Sequence, residues 1–131
     1  MKVIPFSARS FVPASHENLL APGVLKKVLI EKADLRPGRV QMINWANLAV
    51  GKRFAPHYHE DMQEIFILVE GEAEITVGKE TVTLRRGDGV VIDPREVHKM
   101  RNVGAKDVEY LALGITSEAG GRTVVVEENS H

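Results

Sequence analysis

Short runs of alternating apolar and polar residues, separated by glycine turns, constrain the fold of this chain most strongly. In the run 72–77, EAEITV, every second residue is apolar, so one side of an extended segment would be buried and the other exposed. Similar runs predict strands at 24–30, 40–50, 64–69, 73–77, 81–84, 90–92, 97–102, 108–115 and 123–127. Helical periodicity is scarce. The pattern therefore predicts an all-β chain that folds as an antiparallel barrel or sandwich.

The chain has the length of one domain, because 131 residues without an internal repeat leave no room for a second core. Residues 1–23 carry three of the six prolines and only weak periodicity, and we expect them to form an extended N-terminal arm. Residues 24–131 would then form the β-barrel domain. Since such an arm has no core of its own and can add to the sheet of a second copy, we also expect a homodimer.

Composition excludes several classes of function. Seventeen basic and eighteen acidic residues give a net charge of −1, which argues against nucleic-acid binding. The chain has no cysteine, so disulfides and thiolate metal sites are excluded. Without a signal-peptide core or an apolar stretch of about 20 residues, we expect a cytoplasmic protein with no membrane partner.

Histidines and one carboxylate fall at a spacing typical of metal ligands. His57 and His59 are two residues apart, so on a strand both side chains point to one face, with Cα atoms about 7 Å apart. Glu64 opens the next strand, and a chain reversal at 60–63 would bring it beside the pair. His98 lies on a later strand and is the fourth candidate ligand. The sequence thus indicates a site for one metal ion at these four residues.

The segment 51–71 resembles the first motif of the cupin superfamily, with matching residues at Gly51, His57, His59, Glu64 and Gly71. The segment 87–102 is similar to the second cupin motif at Gly87, Asp88, His98 and Asn102. This resemblance implies a small single-domain jelly-roll β-barrel. It also implies one divalent ion per chain, of iron, manganese, nickel, cobalt, copper or zinc, held inside the barrel by His57, His59, Glu64 and His98 with one or two positions open.

The second motif departs from the family pattern in one turn. Where the family usually has proline and glycine, this chain has Asp93 and Arg95, with Pro94 shifted by one position. A residue other than glycine at positive φ costs about 1–2 kcal/mol. Either Arg95 bears that strain, or the turn is of another type.

Each candidate residue also has a plainer interpretation. The four candidate ligands could line a polar barrel mouth without metal, but several buried ionisable groups cost several kcal/mol unless they are paired or coordinated. Arg53, four residues before His57, could bind a carboxylate or phosphate, or simply be solvated. Phe66 and Met100 share the ligand face and could line a substrate pocket or belong to the core. We expect only surface or terminal roles for His16 and His131.

Three imidazoles and one carboxylate around a divalent ion leave a net charge of about +1, which favours a small, anionic, oxygen-rich ligand. The leading hypothesis is a metal-dependent enzyme that acts on a sugar derivative or organic acid by isomerisation, decarboxylation or dioxygenation. The alternative is a non-catalytic module that binds a sugar or metabolite. A third possibility is a metal-stabilised structural protein without a substrate.

Overall fold

The structure is a computed structural model that describes residues 1–14, 17, 20–117 and 122–127. His16 and His131 lie outside the described residues. The strands are β1 (Val12–Pro13), β2 (Val24–Ile30), β3 (Val40–Leu48), β4 (His57–His59), β5 (Gln63–Glu70), β6 (Glu72–Val77), β7 (Glu80–Arg85), β8 (Gly89–Ile92), β9 (His98–Asn102), β10 (Val108–Ile115) and β11 (Thr123–Val125). Two short 3₁₀ turns lie at Phe6–Ala8 and Lys32–Asp34.

The strands form two antiparallel sheets that face each other. The first has the order β1-β2-β3-β10-β5-β8, and the second has the order β11-β4-β9-β6-β7. Because strands that are distant in sequence are neighbours in both sheets, the architecture is a jelly roll, and the predicted all-β antiparallel fold is confirmed. Among the described residues, no helix is long and apolar enough to cross a membrane.

The hydrophobic core lies between the two sheets. Strand β10 shows strict alternation, with Val108, Tyr110, Ala112 and Gly114 buried and the residues between them only partly so. The second sheet contributes Ala73, Ile75 and Met100 to the same core. Period-2 patterning therefore aims one side of each sheet at the other, and polar residues on that side stand out as candidates for function.

Tight turns carry the left-handed backbone that the sequence leads one to expect. Gly71 joins β5 to β6 at φ 89°, where an added Cβ would lie 2.8 Å from the carbonyl oxygen of Asp107. Arg95 has φ 68°, so it does bear the strain considered above. It is the only described residue other than glycine with positive φ.

The N-terminal arm contacts its own chain. Strand β1 pairs with β2, opposing Val12 to Lys26, and the ring of Phe6 lies 5.4 Å from that of Trp45. The Nζ atom of Lys27 lies 3.6 Å from the centre of the Phe6 ring and donates a hydrogen bond to the Phe6 carbonyl oxygen. The homodimer remains a prediction, as do the proposed boundaries of arm and barrel domain.

Candidate metal centre

The four candidate ligands come from three strands in both sheets. His57 on β4 lies directly opposite His98 on β9, which makes them a cross-strand pair. His59 lies two residues further along β4 and faces the same way. Glu64 is the first buried residue of β5 in the other sheet, so the cluster bridges the two sheets at one end of the core.

The side chains converge within the range of one ion. One ligand atom from each of His57, His59, Glu64 and His98 lies within 4.8 Å of all the others. The rings of His57 and His98 are 4.3 Å apart at their centroids. All four residues are buried, and the most accessible of them, Glu64, is only 8% exposed. The grouping expected from the sequence is therefore present in the fold.

Each imidazole is held through its Nδ1 atom. His57 donates from Nδ1 to the carbonyl oxygen of Ala55 at 2.7 Å, and His98 does the same to Glu96 at 2.9 Å. A carbonyl oxygen only accepts, so the proton lies on Nδ1 and the Nε2 lone pair is left for another partner. The Nδ1 atom of His59 lies 3.0 Å from the hydroxyl of Thr123, which can accept in the same way. Such contacts fix ring orientation in metal-binding histidines.

The contacts among the ligand atoms leave a place for a cation. The Oε1 atom of Glu64 lies 3.3 Å from Nε2 of His59 and 3.2 Å from Nε2 of His98. Burial raises the pKa of Glu64, but its hydrogen bonds to His59 and His98 outweigh that effect and lower the pKa from 4.5 to about 2. Those hydrogen bonds need a proton on Nε2, yet Nδ1 of His98 already carries the proton given to Glu96, so a second proton or a metal ion must lie between Nε2 of His98 and Oε1 of Glu64. The donor set of three imidazoles and one carboxylate fits a divalent transition-metal ion.

A cavity of about 290 Å³ adjoins the cluster, with His59 and Glu64 in its wall. Phe66, Tyr110 and Asn44 line it from the first sheet. The cavity runs over a small residue in the middle of that sheet, Ala112, which lies opposite Phe66. An open volume next to a polar cluster is the arrangement expected of a ligand-binding site.

The cupin-domain family profile matches residues 44–114, which is more than half of the chain and includes all four candidate ligands. The chain belongs to the cupin family.

Other cupin-fold proteins resemble it over most of its length. A predicted oxalate decarboxylase from Thermotoga maritima has a TM-score of 0.76 and 24% identity, covering 88% of this chain and 99% of that protein. The polyketide cyclase RemF from Streptomyces resistomycificus has a TM-score of 0.75 and 19% identity, covering 98% of this chain and 88% of that one. At these identities the likeness establishes the fold.

A relative found by sequence is more local. The polyketide synthase CurC of Streptomyces cyaneus is 37% identical over 61 residues, which is 47% of this cupin and 40% of the relative. The chain thus matches less than half of that protein's length.

The three predicted substrate residues have different positions in the cupin barrel. Phe66 belongs to the hydrophobic core and also lines the cavity, with its ring 6.1 Å from that of His98. Met100 is buried in the hydrophobic core and does not line this cavity. Arg53 is exposed, and its backbone forms an isolated β-bridge with that of Arg101. Its side chain borders a separate depression on the outer side of the second sheet.

The position of Arg53 follows from a break in strand parity. The four-residue spacing to His57 would place both side chains on one face only if a strand continued through 53–57. Strand β4 begins at His57, and it is the neighbouring Phe54 that is buried at the cluster, with its ring 5.1 Å from that of His57. The structure therefore does not bring Arg53 to the candidate ligands.

Five polar residues that line the cavity were not among the site residues predicted from the sequence: Lys26, Gln41, Asn44, Tyr110 and Thr123. Asn44 carried a signal, because it is the one strongly polar residue among the inward positions 42, 44, 46 and 48 of β3. Thr123 carried none, since its contact with His59 depends on the pairing of β11 with β4 across 64 residues of sequence.

Proposed function

We propose that this cupin binds one divalent metal ion through His57, His59, Glu64 and His98. We propose further that it is a metal-dependent enzyme for a small, anionic, oxygen-rich molecule, a sugar derivative or an organic acid. The reaction class is isomerisation, decarboxylation or dioxygenation.

The main support for this proposal is that atoms able to accept a hydrogen bond or bind a cation face one another in the buried cluster. Carbonyl oxygens hold Nδ1 of His57 and of His98, so Nε2 of each ring is available for a cation. Glu64 is ionised at neutral pH because its pKa is lowered to about 2. An anionic oxygen among imidazole lone pairs is costly in a buried site unless a cation compensates it.

The residues around the cluster would prepare a substrate for reaction. A divalent ion bound there would supply Lewis-acid chemistry and, for a redox-active metal, the capacity to react with dioxygen. Phe66 and Phe54 pack against the histidine rings and exclude water from their inner sides. Burial raises the pKa of Tyr110, and the nearby carboxylate of Glu64 raises it further, so the phenol stays protonated and can donate a hydrogen bond to a ligand.

The size of the cavity supports a small substrate. Its volume of about 290 Å³ has room for about ten water molecules and lies at the lower end of the range for ligand pockets. Oxalate-sized acids and six-carbon sugar acids fit this volume. A polyketide substrate, which the likeness to RemF and CurC raises as a second candidate, would need more space than the described cavity offers.

The first experiment measures metal content. Wild-type protein should carry about one equivalent of a divalent metal after purification. We expect His57→Ala, His59→Ala, Glu64→Ala and His98→Ala each to lower metal affinity by orders of magnitude, because the remaining ligands cannot fill the coordination sphere. Circular dichroism should still report a β-rich fold, since a chain of this length buries a core without the ion.

A matched control separates coordination from general charge effects. Glu74 is a carboxylate on the outer side of β6, ion-paired with Arg101, and Glu74→Ala should leave metal content unchanged. If any one of the four variants keeps the wild-type metal content, that residue is not a ligand. If all four keep it, the metal-site proposal is wrong.

The second experiment separates enzyme from binding module. The metal-loaded protein is incubated with a panel of hydroxy, keto and sugar acids, under air and under nitrogen. Turnover only in air indicates dioxygenation, and turnover in both atmospheres indicates isomerisation or decarboxylation. Binding without turnover across the panel would favour the non-catalytic alternative.

A further inference from the structure

Asn44 is a buried polar residue inside the barrel whose amide oxygen has no partner in the described part of the chain. The residue is 5% exposed, lies on the inner face of β3 and lines the cavity next to the metal cluster. No described group donates a hydrogen bond to its Oδ1 atom. An unsatisfied buried carbonyl costs stability, and in a native fold it calls for an explanation.

Strand register places Asn44 two strands away from Glu64 across the first sheet, on the side of the cavity away from the cluster, here called the far end. Gly114 lies opposite both Glu64 on β5 and Met42 on β3, and Asn44 is two residues further along β3. With strands about 4.8 Å apart and a rise of about 3.4 Å per residue, the Cα atoms of Glu64 and Asn44 are about 12 Å apart. The side chains shorten this span to one that a six-carbon acid can bridge.

Lys26 is the lysine that shares the cavity lining with Asn44. It lies opposite Ala46 on β3, which makes it the diagonal neighbour of Asn44 at about 7–8 Å between Cα atoms. Its side chain also lines the cavity. The far end therefore offers a hydrogen-bond acceptor and a positive charge, whereas the cluster end offers the metal ligands.

We propose that Asn44 is a specificity-determining residue that accepts a hydrogen bond from a distal hydroxyl of the ligand, with Lys26 beside it attracting distal negative charge. The ligand class is a polyhydroxylated acid of about six carbons whose other end reaches the His/Glu cluster. This inference rests on the proposed function, because the metal would bind that other end. A cavity built to pair a hydroxyl rejects analogues without one, since its own polar group is then left unpaired.

The test compares acids that share the same metal-binding end. Gluconate and 2-hydroxyhexanoate both carry an α-hydroxy carboxylate, but only gluconate has distal hydroxyls, and 2-hydroxyadipate carries a distal carboxylate instead. Calorimetric titration of wild-type protein should show about tenfold or tighter binding of gluconate than of 2-hydroxyhexanoate. In Asn44→Leu, which has nearly the same shape, that ratio should fall to about one while 2-hydroxyhexanoate binds at least as well as before.

Two lysine variants test the charge. Lys26→Met should weaken binding of 2-hydroxyadipate more than that of 2-hydroxyhexanoate. Lys79→Met, which removes an exposed lysine in the turn between β6 and β7, should change neither. The proposal is overturned if wild-type protein does not prefer gluconate over 2-hydroxyhexanoate, or if Asn44→Leu keeps the preference.

Metal content, measured on the same samples, separates this inference from the proposed function. Loss of the gluconate preference in a metal-loaded Asn44→Leu protein supports the distal role of Asn44, whereas a wild-type protein that takes up no metal contradicts the metal site.

Stability gives a readout that does not depend on ligand. Because Leu removes an orphaned acceptor without leaving a hole, metal-free Asn44→Leu should unfold a few degrees above wild type. Asn44→Ala, which removes the same atom but leaves a cavity, should bind gluconate with the same lost preference. A lower unfolding temperature for Asn44→Leu would mean that the protein itself satisfies this amide, and would overturn the inference.

Discussion

At the scale of single residues, the three histidines of the cluster differ in what holds them. Main-chain carbonyls of Ala55 and Glu96, each two residues before the ring, orient His57 and His98. His59 depends instead on the hydroxyl of Thr123, a side chain from the other end of the chain. A side-chain substitution at a residue that is not itself a ligand can therefore loosen His59, whereas the main-chain contacts of His57 and His98 would remain.

Thr123→Val should weaken metal binding. Valine keeps the shape and the β-branch of threonine but cannot hydrogen-bond to Nδ1 of His59, so the ring loses its orientation. Substitutions of such supporting partners typically cost about 10–100-fold in metal affinity. Competition with a chelator measures the change. Thr81→Val, at an outer-face threonine that bonds only to Thr76 among described residues, is the control, and equal affinity in both variants would contradict the role of Thr123.

Glu64 should make the metal-free protein sensitive to acid. Its pKa is lowered from 4.5 to about 2, so the ionised form stabilises the fold. A lowered pKa contributes stability that is complete above about pH 4.5 and is lost as the pH falls through 2. The shift corresponds to about 3 kcal/mol at most. Urea unfolding from pH 2 to 7 should show this loss in wild type and a flatter profile in Glu64→Gln; parallel profiles would contradict it.

At the scale of elements, the turn between β8 and β9 supports the cluster at the cost of backbone strain. The amide of Arg95 donates to the carbonyl oxygen of His59 at 2.7 Å, and Gln63 donates to the Asp93 carboxylate at 2.9 Å. Arg95 makes its bond from a φ of 68°, where glycine is the favoured residue. The turn keeps the shape that glycine would allow, although the sequence has arginine.

Arg95→Gly should therefore stabilise the protein slightly. Relief of left-handed strain gains about 1–2 kcal/mol, and the greater freedom of glycine in the unfolded chain offsets about 0.5–1 kcal/mol of it. Urea unfolding measures the difference, with metal content expected to stay unchanged. Arg86→Gly makes the same chemical change at a position without positive φ and should destabilise. A loss of stability in Arg95→Gly would show that the arginine side chain itself contributes.

The strands show which parts of the fold can be predicted from local sequence. Strands β2 and β10 were predicted with their observed bounds, because alternation there is long and uninterrupted. Strand β3 ends at Leu48 rather than at residue 50, since the amide of Lys52 closes a turn onto Ala49. Strand β1 was not predicted, as two residues carry no period and Val12–Pro13 is a strand only through its pairing with β2.

The site, too, has a part that local sequence predicts and a part that depends on which strands become neighbours. The candidate ligands are close in sequence or belong to recognisable motifs, so spacing together with the resemblance to the cupin motifs predicted that His57, His59, Glu64 and His98 would be grouped, as they are in the structure. The cavity depends on which strands become neighbours, and no spacing places Lys26 beside Asn44. The interpretation of Arg53 assumed that the strand extends back to residue 53, whereas β4 begins only at His57.

At the scale of the whole molecule, the outer side of the first sheet carries two rows of large apolar residues. Leu111 lies between Trp45 and Ile67 across three strands, and Leu113 lies between Ile43 and Ile65 in the next row. Ile67 is 37% exposed on this face. The arm covers only one end of it, where Phe6 packs on Trp45. We therefore predict a protein–protein contact at this apolar surface.

We therefore expect the homodimer to form through this outer face, beside the arm. Light scattering should report about twice the chain mass of 14.5 kDa. Ile67→Lys places a charge at the centre of the face and should shift the protein towards monomer, because burying an unpaired ammonium costs more than the contact gains. Val82→Lys is the matched control: Val82 is 50% exposed on β7 of the other sheet and should leave the dimer intact. A wild-type protein that stays monomeric at every concentration would contradict the dimer, and a dimer that survives Ile67→Lys would move the contact away from this face.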